Sequence, residues 1–271
     1  MAKLKVLSWN VENFKVGKTD VGRVVAHVQQ YDPDVFGLLE VVGPGVYDKV
    51  AAKFPKHNFH LTYGRQSQEI LVGVRRTINA FFSQKTEFKS GNAYLRPGAL
   101  VTLNVGQTPL NLLFLHTKSS PKPVGLGLRD DMFYRAFKLK RKLDKIANGN
   151  ARFVFCGDLN TMGMKYPYGK AIPFQTELKK LNAGAKRCKM RVLKKSHGAT
   201  WTDEDQSIPD SNLDHVVAST SVSVRSQTVN GQPAEVKVDG WNAWANGSQK
   251  WRSFVSRVSD HCALYFEIDP V

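Results

Sequence analysis

The chain has 271 residues, 42% of them hydrophobic, enough for a sizeable buried core and too many for wholesale disorder. Lysine and arginine outnumber aspartate and glutamate by 39 to 23, a net charge of +16. An excess of that size favours a polyanionic partner, because phosphate groups draw basic side chains to themselves.

No apolar run approaches the roughly 20 residues that span a bilayer. The cysteines (Cys156, Cys188 and Cys262) have no paired spacing, so they are expected to be small buried side chains rather than disulfides or zinc ligands. A strand begins almost at Met1, leaving no room for a signal peptide ahead of it. Reducing cytoplasm is therefore the default compartment, although a trimmed secreted form would read the same.

Leu4 to Trp9 reads as a buried strand. Asp20 can cap a helix whose apolar face is Val21, Val24, Val25 and Val28. Val35 to Val41 is the next strand, and Pro44-Gly45 opens a short helix near Tyr47 to Phe54. Strands follow at Phe59–Tyr63, Ile70–Arg75, Ala80–Phe88, Ala99–Val105 and Leu110–His116, and their short connections predict mostly antiparallel neighbours. Residues 118–131 read as a Pro/Gly-rich loop. The helix after it would bury Phe133, Ala136, Leu139, Leu143 and Ile146 and turn Arg135, Lys138, Lys142 and Lys145 to solvent.

Arg152–Cys156 is a buried strand. Residues 163–211 read as irregular, with a helix near Phe174–Leu181, and strands return at Leu213–Ala218, Val222–Val229 and Cys262–Ile268. Trp241, Trp244 and Trp251 are expected to anchor the intervening segment onto the core. No linker or repeat divides the chain, so one domain, residues 1–271, must bring its two ends together. Many strands with few helices predict two sheets packed face to face, helices outside.

Acids, amides and histidines punctuate these apolar runs. In order they are Trp9-Asn10, Leu39-Glu40, Leu115-His116, Gly157-Asp158-Leu159-Asn160, Leu213-Asp214-His215 and Ser259-Asp260-His261. Strand ends that meet at one sheet edge gather distant residues into one cleft. Carboxylates, amides and histidines gathered there suit a hard divalent cation and a phosphoryl group.

The ordered set resembles the endonuclease/exonuclease/phosphatase superfamily over nearly the whole chain. Its members include pancreatic-type deoxyribonuclease, exonuclease III and abasic-site endonucleases, neutral sphingomyelinases and inositol polyphosphate 5-phosphatases. The resemblance implies an α/β fold, a four-layer α/β/β/α sandwich of two mixed, mostly antiparallel sheets with helices outside. It also implies Mg²⁺- or Mn²⁺-dependent phosphoester hydrolysis.

Carried over residue by residue, the resemblance assigns Glu40, Asn10 and Asp260 to the metal. It assigns Asp158 to orienting the attacking water and Asn160 to the scissile phosphate or the metal. His261 and Asp214 read as a histidine–carboxylate pair, with His261 facing the phosphate as proton acceptor or charge stabiliser. His215 falls on the opposite face of the same strand and reads as structural.

His116 is expected to pair with Glu69, as in deoxyribonuclease-like members, and to protonate the leaving alkoxide. Arg96 matches a position where several nucleases place a phosphate-binding arginine, a task its bidentate fork suits. Lys118, Lys122 and Arg129 are expected beside the cleft, as is the run Lys186, Arg187, Lys189, Arg191, Lys194 and Lys195.

The expectation is a monomeric, metal-dependent phosphodiesterase acting on nucleic acid, specifically a DNA endonuclease. The alternatives are a lipid or inositol-phosphate phosphoesterase of the same superfamily, a toxin-like nuclease subunit, and a nucleic-acid-binding module without catalysis.

Overall fold

Apolar strands that need cover on both faces build the centre of the protein. The computed structural model describes residues 3–269. One sheet contains β1 (Leu4–Phe14), β2 (Val35–Val41), β3 (His57–Leu61), β4 (Glu69–Arg75), β13 (Val236–Asp239) and β14 (Ala263–Ile268), in the order β13-β14-β1-β2-β4-β3. The other contains β5 (Ala80–Lys85), β6 (Gly98–Leu103), β7 (Leu110–His116), β8 (Arg152–Asp158), β9 (Met190–Val192) and β10 (Asp214–Ser219), in the order β5-β6-β7-β8-β10-β9. Each has one parallel pair at its middle, β1 with β2 and β7 with β8, and antiparallel pairs elsewhere. The sheets are mixed and mostly antiparallel, as the short connections predict.

The inner faces meet in a core that includes Val6, Leu39, Val72, Val101, Leu112, Phe114, Val154 and Val216. Contact there is close. A side chain on Gly37 would begin 2.3 Å from the ring of Phe114, so glycine is what lets that ring fill the space between the sheets. Helices α1 (Val21–Gln29), α2 (Pro44–Lys53) and α5 (Gln249–Arg257) join this core from outside the first sheet through Val24, Val28, Val46, Val50, Trp251 and Phe254. Asp20 caps α1, its carboxylate accepting from the Arg23 amide. Across the molecule, α3 (Pro123–Ile146) and α4 (Phe174–Arg187) cover the second sheet through Met132, Phe133, Ala136, Phe137, Leu181 and Ala185. The result is the four-layer α/β/β/α arrangement.

Several elements depart from the expectations. Helix α3 begins at Pro123, inside the stretch read as a loop, with proline in its first turn. Its buried face is Arg129, Met132, Phe133, Ala136, Phe137 and Lys140, whereas Ile146 is 83% exposed. The strand expected over Ala80–Phe88 stops at Lys85, where a 3₁₀ turn over Thr86–Lys89 takes over. Of Val222–Val229 only Gln227–Val229 is a strand (β11), pairing with β12 (Gln232–Ala234) in a small hairpin. Strand β13 and helix α5 occupy chain read as irregular. Trp241 and Trp251 are buried and Trp244 packs on the core, so these rings do anchor that segment. All three cysteines are buried and free.

Candidate active site at one edge of the paired sheets

Strand register assembles this site. Parallel pairing sets His116 of β7 beside Asp158 of β8, and antiparallel pairing sets Asp214 of β10 against the same Asp158. In the other sheet Asn10 lies level with Leu39, and the pairing then slips before resuming at Phe14 and Val41. Within the slip Glu12, Asn13 and Glu40 adopt left-handed backbone, with φ of 34°, 45° and 63°. Such conformations cost about 1–3 kcal/mol each for non-glycine residues and persist where the surroundings over-determine them. Here the bulges aim Glu40 at the second sheet. Gly157, at φ 132°, has a related constraint: a Cβ would lie 2.1 Å from the Leu115 carbonyl oxygen.

Asp158 is the hub. Its Oδ2 accepts from Asn10 Nδ2 at 3.0 Å and lies 3.4 Å from His116 Nε2 and 3.8 Å from His261 Nε2. Its Oδ1 accepts from the Asn160 amide at 3.0 Å. His261 Nδ1 lies 2.8 Å from Asp214 Oδ2, the expected histidine–carboxylate pair. Ser259 Oγ donates to the Asn10 carbonyl and accepts from the His261 amide, tying two motifs from opposite ends of the chain. Glu40 Oε2 accepts from the Asn13 amide at 2.8 Å and Gln68 Nε2 at 2.6 Å, and its Oε1 lies 3.5 Å from His116 Nε2.

Burial and crowding perturb these groups. Burial, with the neighbouring Asp214 and Glu40 charges, pushes Asp158 up to about 7 against the pull of His261. Asp260 is pushed up to about 6, again by burial first, with Glu12 and Glu40 adding to it. Burial disfavours the charged form of His261, but Asp214, Asp260 and Asp158 outweigh it and hold the imidazole well above its ordinary range. His116 goes the other way, depressed by burial and by Arg96, His261 and Lys118.

Two groups of acids invite a cation. Asp158, Asp214 and His261 offer ligand atoms within 4.8 Å of one another. The hydrogen bond between His261 and Asp214 already occupies that trio, so it suits proton handling better than coordination. Glu40 and Asp260 supply the harder oxygens. Asp260 Oδ2 accepts from the Trp201 indole at 2.7 Å, whereas its buried Oδ1 has no hydrogen-bond partner, an expensive state that a cation relieves. Asn10 shows its amide nitrogen to Glu40 and Asp158, so it offers a cation oxygen only after a half-turn of the amide.

Other expected residues fall differently. Glu69 does not reach His116; it accepts from Thr62 Oγ1 at 2.6 Å and Gln66 Nε2 at 2.7 Å, on the loop between β3 and β4. That pair is not formed, and Glu40 and Asp158 stand beside His116 instead. Arg129 is not a cleft charge but a fully buried side chain paired with Glu177 at 2.6 Å. Arg191 pairs with Glu235, and the half-buried Lys195 donates to the Asp214 carbonyl at 2.6 Å from behind the site. His215 is buried against Thr161 Oγ1 at 2.7 Å, in the structural position alternation predicts.

Arg96 does lie at the site. Its Nη2 donates to the Thr117 carbonyl at 3.3 Å, and the Glu40 and Asp158 charges partly offset the burial that lowers its pKa. The same carbonyl accepts from Asn160 Nδ2 at 3.3 Å. Lys118 follows in the chain, half-buried.

Sequence reasoning missed the supporting residues Gln68, Asn13, Trp201, Ser259 and Thr200, whose hydroxyl accepts from the Asp214 amide at 2.9 Å. Only Ser259 lies within the motifs, and Asn13 follows the first of them by three residues; the others carry no local signal.

Comparisons with known proteins bear on the family and the fold. The model of the endonuclease/exonuclease/phosphatase family matches residues 7–261. No curated protein sequence matches the chain. Among solved structures, truncated Caenorhabditis elegans TDP2 superposes with a TM-score of 0.65 at 17% identity, over 98% of this chain and 97% of that one. D. rerio TDP2 complexed with a single-strand DNA product gives 0.63 at 14%, over 99% and 100%. The endonuclease/exonuclease/phosphatase from Bacteroides vulgatus gives 0.62 at 12%, over the full length of both. At these identities the likeness is one of fold. With the family model spanning every motif from Trp9 to His261, the chain belongs to the endonuclease/exonuclease/phosphatase family.

Proposed function

We propose that this protein is a divalent-metal-dependent phosphodiesterase of nucleic acid, specifically a DNA endonuclease. The observation that carries the reading is Asp158, buried among Asn10, His116 and His261, with His261 fixed in turn by Asp214. A carboxylate lifted to about 7 is a competent proton acceptor near neutrality. In this reading Asp158 takes the proton of the attacking water. His261, kept protonated by its three acidic neighbours, holds positive charge against the phosphoryl oxygens.

His116 is held neutral and serves as a hydrogen-bond donor beside Asp158 rather than as an acid to the leaving group. Asn160 is placed by its own left-handed backbone and by Thr117 to meet a phosphoryl oxygen. Arg96 and Lys118 face the same oxygens. Glu40 and Asp260, with Asn10 after rotation of its amide, would hold Mg²⁺ or Mn²⁺, which would neutralise charge developing on the phosphoryl group. DNA is supported by the +16 charge and by the single-strand DNA product carried by one structural neighbour.

Supercoiled plasmid tests the proposal. The wild type is expected to nick it in Mg²⁺ or Mn²⁺ and not in EDTA, and His261→Ala to slow nicking by about a hundred-fold or more. Plasmid left intact by the wild type in every metal would refute the endonuclease reading.

A further inference from the structure

Beyond the catalytic cluster, one exposed loop is built unlike the rest of the surface. Residues 165–171 leave the body between Met164 and Ile172, whose backbones exchange two 2.8 Å hydrogen bonds. The loop carries Lys165-Tyr166-Pro167-Tyr168-Gly169-Lys170, all exposed, with Tyr166 44% and Tyr168 88% accessible. The two rings meet edge to face, centroids 6.0 Å apart and planes at 83°. Such a pair covers only one face of one ring and leaves the others open to water. Two large aromatic rings at one exposed spot are a cost that binding can recover.

The loop is mounted rigidly and next to the site. At its base the Gly163 amide donates to Glu177 Oε2 at 2.8 Å and its carbonyl accepts from Arg129 Nη2 at 2.7 Å. The other nitrogen of Arg129, Nη1, holds the Lys118 and Ser120 carbonyls. One buried ion pair thus clamps two loops at once, the one following His116 and the one following Asn160. They also touch directly, the Lys165 amide donating to the Pro121 carbonyl at 2.7 Å. Their side chains add Lys118 and Lys122 to Lys165 and Lys170. None of these four ammonium groups enters an ion pair among the described residues.

We infer that Tyr166 and Tyr168 form a stacking platform for unpaired bases of a single-stranded nucleic acid whose phosphates run along Lys118, Lys122, Lys165 and Lys170. Every base has a π-face, and tyrosine stacking selects strands whose bases are free rather than a given sequence. A duplex keeps its bases in the stack and gains only the lysines. The inference rests on the nucleic-acid reading of the active site and adds to it a binding preference for strands with unpaired bases.

Fluorescence anisotropy in EDTA separates binding from cleavage, with a short labelled oligodeoxythymidine and a mixed-sequence duplex as probes. The Tyr166→Ala/Tyr168→Ala variant, checked for an unchanged melting temperature, is expected to bind the single strand about ten-fold or more weakly than wild type. The duplex should change little, and Tyr166→Phe/Tyr168→Phe should restore the single-strand affinity. Equal single-strand affinity of wild type and the alanine variant would overturn the platform while leaving the nuclease reading intact. A wild type that binds neither probe would overturn both.

Discussion

Asp158 shows how one side chain inherits its chemistry from its address. In water it would be an ordinary acid; enclosed beside Asp214 and Glu40 it rises to about 7, and Asp260 to about 6. A carboxyl that is harder to ionise folded than unfolded makes the native state bind more protons. Stability then falls as pH climbs from the ordinary carboxyl range, about 4, to those raised values. His261, raised by its acids, adds stability below its ordinary pKa of 6.5 that is lost as pH rises through its higher folded value. Both act in one direction. In EDTA the melting temperature should fall between about pH 6.5 and about pH 8, above the range in which the depressed His27, His57, His60, His116 and His215 work the other way. Mg²⁺ should raise it more at the upper end, where the acids are free to bind it. Calorimetry with and without Mg²⁺ checks this; a shift independent of pH would contradict the raised acids.

At the scale of elements, Arg129 and Glu177 join α3 to α4 with no exposed atoms to speak of. Removing one member strands the other charge in a dry site, at a cost of about 3–5 kcal/mol. Urea denaturation of Arg129→Met should show a loss of that size, and Arg129→Met/Glu177→Gln should recover part of it. This pair also marks where the sequence stopped being legible. Strands β1, β2, β4, β7, β8, β10 and β14 announce themselves as apolar runs, and the positions at or beside their ends named Asn10, Glu40, Asp158, Asp214 and His261. A hydropathy pattern reads arginine and lysine as solvent, so Arg129 and Lys140 hid the true buried face of α3 and moved its start. Glu69 failed for a different reason. Its strand was found, but which acid faces His116 depends on a bulge that brings Glu40 across instead. Helix α5 could have been found, since Ser248 caps it and Trp251, Phe254, Val255 and Val258 keep helical spacing.

Over the whole molecule, the +16 charge makes any nucleic-acid affinity steeply salt-dependent. Each phosphate neutralised on a single strand contributes roughly 0.7 to the slope of log affinity against log salt. Lys165→Ala/Lys170→Ala should therefore flatten that slope by about 1.4 for the oligodeoxythymidine. Titrations at several salt concentrations measure it, and an unchanged slope would place those lysines off the strand's path.

Strand β14 lies between β13 and β1, pairing Leu4 with Ile268, and Ser259, Asp260 and His261 sit just before it. Biosynthesis gives that topology a temporal meaning. Asn10, Glu40 and Asp158 leave the ribosome long before the residues that complete them, so the nascent chain is a blunt tool until β14 docks. Ribosome-bound chains arrested after Arg257 are expected to cleave nothing, and adding a synthetic peptide of residues 258–269 to the released fragment should restore cutting. Activity from the arrested chain alone would show that the site closes without β14. If the proposed activity holds, a basic enzyme acting on nucleic acid thus has no complete site until β14 has paired with β1.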